Sequence, residues 1–277
     1  MPKQLTLMAV CPHPDDECTS AGGVLARYAT EGVRTVVVTC TNGELGDGPG
    51  GVKPGEPGHD EALVAKTRLA ELAESCRILN VTHSEALGYR DSGMSAWDFK
   101  GHPDAFCNVA VDESCGRLVA LMEKYEPDVV ICDDDQGGYD HPDHVRAHLI
   151  ATKAVADSGI PSKLYMPTFG RTTFETLRAA LTELGIEAPE FAEFDDATLK
   201  LLDAAEARIT TVVDTTGFAD QVRAALDAHA SQIAESWFSR IPTPAFAAAF
   251  GRQNFIRAYD TTGAPLPETD LFAGLRD

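Results

Sequence analysis

The sequence predicts a layered α/β fold built on a mostly parallel sheet. Three observations carry that expectation. Short apolar runs at residues 5–10, 33–41 and 128–132 are of the continuous type found in strands buried on both faces. Segments with helical periodicity lie between the runs, and strand-like and helix-like stretches alternate along the chain in a β-α-β-α-β pattern.

Taken in order, 5–10 is strand one. Residues 17–32 read as a helix, with Val24, Leu25, Tyr28 and Ala29 at helical spacing and Gly32 suited to the C-terminal cap. Residues 33–41 form a β-branched strand, so the chain opens with a right-handed βαβ unit. Residues 42–60 are a loop rich in Gly and Pro, of a length that marks function or disorder. Its glycines do not spell Gly-x-Gly-x-x-Gly and it follows strand two, which disfavours a dinucleotide fingerprint. An amphipathic helix over 61–79 (Leu63, Leu69, Leu72, Ala73, Cys76) leads to a short strand over 83–87. The stretch 88–94 is polar, and 95–110 is irregular with Trp97 and Phe99. A helix over 111–125 stops before Pro127. Strand 128–132 runs into 133–144, and a helix over 145–158 follows, with Pro142 near its first turn. Then come a strand over 163–169, a helix over 173–184, an acidic irregular stretch over 188–196, a strand over 209–215, a helix over 217–233 and a proline-punctuated tail with an apolar stretch at 246–250. No repeat or linker divides the chain. One domain is expected over 1–277, with a motif-bearing core at about 5–160 and a remainder, 161–277, that completes the sheet and the substrate pocket.

Composition narrows the function. The 277 residues are 44% hydrophobic and 24% charged, an ordinary globular balance. With 23 Lys and Arg against 43 Asp and Glu the net charge is -20, which argues against a nucleic-acid or anionic-membrane partner. No apolar stretch approaches membrane-spanning length, and the opening residues run straight into a strand without a signal-peptide pattern. The seven cysteines form no Cys-x-x-Cys pair, and several sit inside apolar runs. Free thiols and a cytoplasmic location are therefore expected, with cysteine neither ligating zinc nor acting as nucleophile.

The chemistry concentrates in two clusters, His13-Pro14-Asp15-Asp16-Glu17 and His141-Pro142-Asp143-His144. Each follows a predicted strand and precedes a helix. In a parallel sheet both turns reach the same carboxyl edge, so the clusters converge. His13 and Asp16 are three residues apart, as are His141 and His144, a spacing that places two side chains on one side of a starting helix. Two ligands from the first cluster and one histidine from the second suit a catalytic zinc with a position left for water. Asp15 stays free to take a proton from that water. The other histidine of the second pair would stabilise an oxyanion or protonate a leaving amine, oriented by Asp143. Tyr139 offers a hydroxyl at the same mouth, and Glu17 stands behind the first loop as support. Hydrolysis of an amide or ester follows. The bland readings are a helix cap for Asp15-Asp16, a solvated strand end for Asp133 to Asp135, and satisfied polar residues for the histidines. His148 is a weak competitor as ligand, His102 a decoy, and His59, His83 and His229 carry no functional claim.

On these residues the sequence resembles the LmbE/PIG-L-like zinc N-deacetylases. Supporting matches are Gly137-Gly138-Tyr139, Arg68-x-x-Glu71-Leu72, Arg90-Asp91-Ser92-Gly93-Met94 and, more thinly, Ala228-His229-Ala230-Ser231-Gln232. The resemblance implies a three-layer Rossmann-like fold and removal of an N-acetyl group from an N-acetylglucosamine-type conjugate by attack of zinc-bound water. It implies His13, Asp16 and His144 as ligands of Zn2+ (Fe2+ suits the same donors), Asp15 as general base, and His141 backed by Asp143 as stabiliser or acid. Tyr139 would assist. Arg68 and Asp91 match substrate contacts in mycothiol-pathway members. The partner implied is a small amino-sugar conjugate, with no nucleic acid and no membrane insertion, and a homo-oligomer is compatible with it. Two alternatives stand: an amidase that cleaves a larger acyl group from a thiol-sugar conjugate, and a non-catalytic sugar-binding module. The paired histidines and Asp15 also predict a pH–rate profile with an acidic limb from Asp15 or zinc-bound water and a basic limb from His141.

Overall fold

The computed structural model describes residues 4–135, 141–187, 194–234 and 236–276. Seven strands form one sheet in the order β3-β2-β1-β4-β5-β7-β6. They are β1 (Thr6–Cys11), β2 (Arg34–Thr41), β3 (His83–Tyr89), β4 (Val129–Cys132), β5 (Lys163–Pro167), β6 (Thr211–Asp214) and β7 (Arg252–Asp260). The first five pair in parallel. Only β7, inserted between β5 and β6, runs antiparallel. The predicted mostly parallel α/β architecture is what forms.

Strand β1 shows why helices cover both faces. All six of its residues are buried, and the period of two sends them alternately to opposite sides. Leu7, Ala9 and Cys11 pack into the core under α1 (Asp16–Thr30), α2 (Glu61–Ile78), α5 (Arg171–Glu183), α7 (Ala219–Asp227) and α9 (Thr243–Phe250). Met8 and Val10 face the other core, under α3 (Val111–Tyr125) and α4 (Pro142–Ser158). Helices α6 (Asp196–Arg208) and α8 (Ala230–Ile233) complete the set among the described residues.

The order places the site. Strands β1 and β4 are neighbours, and chain order reverses between them, β2 and β3 lying on one side and β5 on the other. A crevice opens at such a switch point beyond the carboxyl ends of the strands. The loop after β1 carries the first cluster, and the chain after β4 leads to the second.

Three expectations change. Residues 252–260 showed no strand pattern, because the two central residues Phe255 and Ile256 are both buried while their neighbours are half-exposed, giving neither alternation nor a continuous run. No helix is expected over Asp196–Arg208, which forms α6; its Leu199, Leu202 and Ala205 are only half-buried, so it packs at the edge of the core rather than within it. The helix expected over 217–233 breaks into α7 and α8, because His229 leaves helical geometry (φ −82°, ψ 45°) and turns inward. The apolar stretch at 246–250 lies in α9.

Candidate metal centre

The loop from Pro12 to Asp15 is fixed chiefly through its backbone. Pro12 O accepts from Thr41 N at 2.9 Å and from Thr41 Oγ1 at 3.1 Å. Asp15 sits at φ 113°, in left-handed space where a residue with a side chain is strained by about 1–3 kcal/mol unless its surroundings hold it. They do. Its N–H donates to Glu17 Oε2 at 2.9 Å. Arg68 donates to Asp15 Oδ2 at 3.0 Å, to Pro14 O at 2.7 Å and to Gly43 O at 2.9 Å. Gly43 must be glycine here: at φ 67°, a Cβ would stand 2.5 Å from the Arg68 guanidinium.

Asp16 opens α1 beside this turn. Its Oδ2 lies 3.3 Å from His13 Nδ1 and 3.6 Å from His144 Nε2, so one carboxylate oxygen spans the two clusters. The other nitrogen of each imidazole meets its own carboxylate: His13 Nε2 lies 3.2 Å from Asp143 Oδ2, and His144 Nδ1 lies 3.0 Å from Asp133 Oδ2. His141 stands edge-on to His13, ring centroids 4.6 Å apart, with His144 at 5.3 Å. All three histidines are at most 6% exposed. Donor nitrogens of His13, His141 and His144 lie within 4.8 Å of one another.

The electrostatics follow from this crowding. Burial works to raise Asp16, but the His144 and His13 charges and hydrogen bonds hold it well below the usual carboxylate range. Burial works against charge on His13 too, yet Asp91, Asp143 and Asp16 raise it well above an ordinary histidine. His144 is raised in the same way by Asp16 and Asp133. Asp15 is pushed up to about 6, chiefly by burial, with Arg68 opposing. His141 is pushed down to about 3 by burial and by the charges of His13 and His144. That direction favours a neutral ring, whereas a basic pH limb from His141 calls for a protonated one.

The donor set fits a metal ion. Nitrogens of His13, His141 and His144 lie close enough together to share an ion, Asp16 Oδ2 stands within 3.6 Å of two of the rings, and a carboxylate lies beside the far nitrogen of each of those two, as second-layer partners of ligating histidines do. The described residues therefore hold a His/Asp cluster able to bind a metal.

Comparison with known proteins agrees with this geometry. Residues 8–155 match the family model described as PIG-L: GlcNAc-PI de-N-acetylase. The chain is 37% identical to a 1D-myo-inositol 2-acetamido-2-deoxy-alpha-D-glucopyranoside deacetylase from Acidothermus cellulolyticus, over 98% of this chain and 95% of that one. This chain belongs to the PIG-L family. It is also 34% identical to a mycothiol S-conjugate amidase from Streptomyces coelicolor, over 100% of this chain and 99% of the relative. Among solved structures, N,N'-diacetylchitobiose deacetylase from Pyrococcus horikoshii superposes with a TM-score of 0.61 at 20% identity, covering 92% of this chain and 84% of that one. GalB, the 4-carboxy-2-hydroxymuconate hydratase from Pseudomonas putida KT2440, has the same TM-score of 0.61 at 17% identity, covering 95% of this chain and 100% of GalB. The fold alone thus hosts more than one reaction, and function has to be read from the site.

Within that PIG-L framework the remaining predicted residues take these places. Asp143 does not back His141 through its carboxylate. That group goes to His13 and accepts from Ser92 N at 2.9 Å and from Ser92 Oγ; only its backbone N–H meets His141, donating to Nδ1 at 3.1 Å as α4 begins. Asp91 Oδ1 lies 3.7 Å from His13 Nε2 and accepts from Gly93 N at 2.8 Å. Arg68 is buried against Asp15 and the loop carbonyls. Glu17 is fully buried behind Asp15. Tyr139 lies outside the described residues. His148 contacts the Asp133 carbonyl, and His102 contacts Asp104 N.

Two residues escaped sequence reasoning. Asp133 is no solvated strand end, since its carboxylate orients His144. Its place as the first residue after β4, the strand beside β1, was the available signal. His229 reaches Glu17 across the sequence, and the inward break between α7 and α8 that puts it there left no periodic mark.

Proposed function

We propose that the protein removes the N-acetyl group from an N-acetylglucosamine-type conjugate, with Zn2+ held by His13, Asp16 and His144. The observation that carries this reading is the Asp16 Oδ2 oxygen 3.3 Å from His13 Nδ1 and 3.6 Å from His144 Nε2, with Asp15 the preceding residue in the same turn. Bound zinc supplies Lewis acidity, which polarises an amide carbonyl and acidifies a water. The rest falls to the chain. Asp15, raised to about 6, is ionised at neutral pH yet basic enough to take a proton from the attacking water. The water oxygen bonds to the acetyl carbon, the C–N bond breaks, and the proton held on Asp15 passes to the departing amine, giving acetate and a free amino sugar. His141 accepts at Nδ1 from the Asp143 N–H, so its proton resides on Nε2. A neutral N–H donor there stabilises the oxyanion that develops on the carbonyl. Arg68 keeps Asp15 aimed.

The conjugate amidase relative favours a second reading, in which the bond broken is the amide of a larger acyl group on a thiol-sugar conjugate. A screen of N-acetylglucosaminyl conjugates, read by acetate release and run beside thiol-sugar conjugates read by release of the larger acyl group, separates the two. Acetate release that disappears in Asp15→Ala supports deacetylation. Turnover only of the larger acyl conjugates moves the assignment to the amidase, and no turnover of either class sinks the hydrolase reading.

A further inference from the structure

Glu17 is fully buried, as is His229. His229 Nε2 lies 2.7 Å from Glu17 Oε1, which also accepts from Ser75 Oγ and, at 3.1 Å, from Cys18 Sγ. The other oxygen, Oε2, accepts the Asp15 N–H at 2.9 Å. Glu17 is therefore a two-ended bracket. One end grips the amide of Asp15, the one site residue with strained backbone among the described residues, and the other is anchored to α2 through Ser75 and to the α7–α8 break through His229. His229 Nδ1 has no hydrogen-bond partner among the described residues. Leaving a buried ring nitrogen unpaired is unfavourable, so local satisfaction does not explain a histidine here, whereas its contact with Glu17 does.

We propose that His229 is a positioning residue for the deacetylation step. Through Glu17 it holds the Asp15 amide, and with it the left-handed backbone that points the Asp15 carboxylate at the reacting water. It touches neither substrate nor metal. The assignment rests on Asp15 acting as the base, as in the reading above.

The segment carries its own control. Ser231, two residues on, donates to Glu71 on α2 through N at 2.8 Å and Oγ at 2.7 Å and does not contact Glu17. Ser231→Ala loosens the same segment without touching the bracket.

The test uses His229→Leu, His229→Gln and Ser231→Ala in the full chain. The first readout is kcat and KM. His229→Leu is expected to lower kcat by about 10- to 100-fold, the usual cost of losing an outer partner of a site, with KM little changed. His229→Gln, whose amide can still donate to Glu17, should recover most of the rate, and Ser231→Ala should keep it. The second readout is independent of turnover: crystal structures of the metal-free proteins. Asp15 is expected to leave left-handed φ in His229→Leu and to keep it in His229→Gln. If His229→Leu does not fold, His229→Ala is assayed with and without added imidazole, and recovery of kcat on addition is the expected result. A folded His229→Leu, or His229→Ala, with unchanged Asp15 φ and unchanged kcat overturns the proposal, as does an equal loss in Ser231→Ala. If the wild type hydrolyses no N-acetylated amino sugar, the functional reading fails, and the Asp15 backbone still decides the role of His229.

Discussion

Two buried polar clusters lie on the same sheet and differ in one respect. In the antiparallel part, Glu268 accepts from Lys163 Nζ at 2.6 Å, Tyr165 Oη at 2.7 Å, Arg257 Nη1 at 2.8 Å and Thr211 Oγ1 at 3.0 Å. Two cations and two hydroxyls surround the carboxylate, so the cluster closes on itself. At the β1–β4 switch, Asp16, Asp143, Asp133 and Asp91 surround His13 and His144, and among the described residues no lysine or arginine side chain reaches the Asp16 carboxylate. There the carboxylates meet imidazoles, whose charge is conditional. Burial of charge is costly unless it is paired. The antiparallel cluster meets that cost from its own residues and reads as structural. The switch-point cluster has a donor set able to take a cation from outside. Both clusters are rich in buried acid, so the presence of charge alone does not separate scaffold from site; completeness does.

The comparison can be broken at either end. The largest effect is expected at Asp15. Asp15→Ala should lower kcat by about 10²- to 10⁴-fold, the range for removing a general base, while metal content by elemental analysis stays at the wild-type level. A loss of metal in step with activity would instead make Asp15 a ligand.

Next comes Glu268→Gln, which leaves buried Lys163 without its principal counter-ion. A loss of about 3–5 kcal/mol in denaturant unfolding is expected, with kcat of the remaining folded enzyme unchanged. Its pH dependence has a definite sign. Burial tends to raise Glu268, but Lys163, Tyr165 and Thr211 hold it below the usual glutamate value. A depressed carboxylate stabilises the fold above its unfolded value and loses that contribution as pH falls through the folded one. Wild-type stability should therefore drop as pH falls below about 4.3, and Glu268→Gln should flatten that part of the drop.

The smallest effect sharpens the other end. Asp133→Asn keeps the shape of the partner behind His144 and removes its charge. Metal affinity by competition titration should weaken by about 10- to 100-fold, with thermal stability of the metal-free protein little altered. Unchanged affinity would leave Asp133 a neighbour of His144 with no part in holding the ion.

What could be read in advance follows the same division. Strands β1, β2 and β4 announced themselves because burial on both faces forces an apolar run, and the two motifs stood out because charge at the end of such a run is rare. That much placed His13, Asp16 and His144 together. The partners of those residues were not legible. Asp143 turned to His13 rather than His141 because the N-terminal turn of α4 points its carboxylate across the crevice and leaves only its N–H for His141. Asp133 was masked by the neighbouring Asp134 and Asp135, a run that reads as solvent-facing. His229 depends on a helix break, and breaks set by one inward side chain leave no periodicity. Strand β7 failed because its burial pattern fits neither template. Contacts local in sequence were visible, whereas those made across the sheet had to await the fold.

The central claim is that the switch-point cluster is completed by a metal ion. Calorimetric titration of Zn2+ into chelator-treated, metal-free protein tests it most directly, run on the wild type and on Asp16→Ala. The account predicts saturation at one ion per chain in the wild type, with that step abolished or severely weakened in Asp16→Ala. No saturable binding to the wild type, or equal binding by the two proteins, would contradict it.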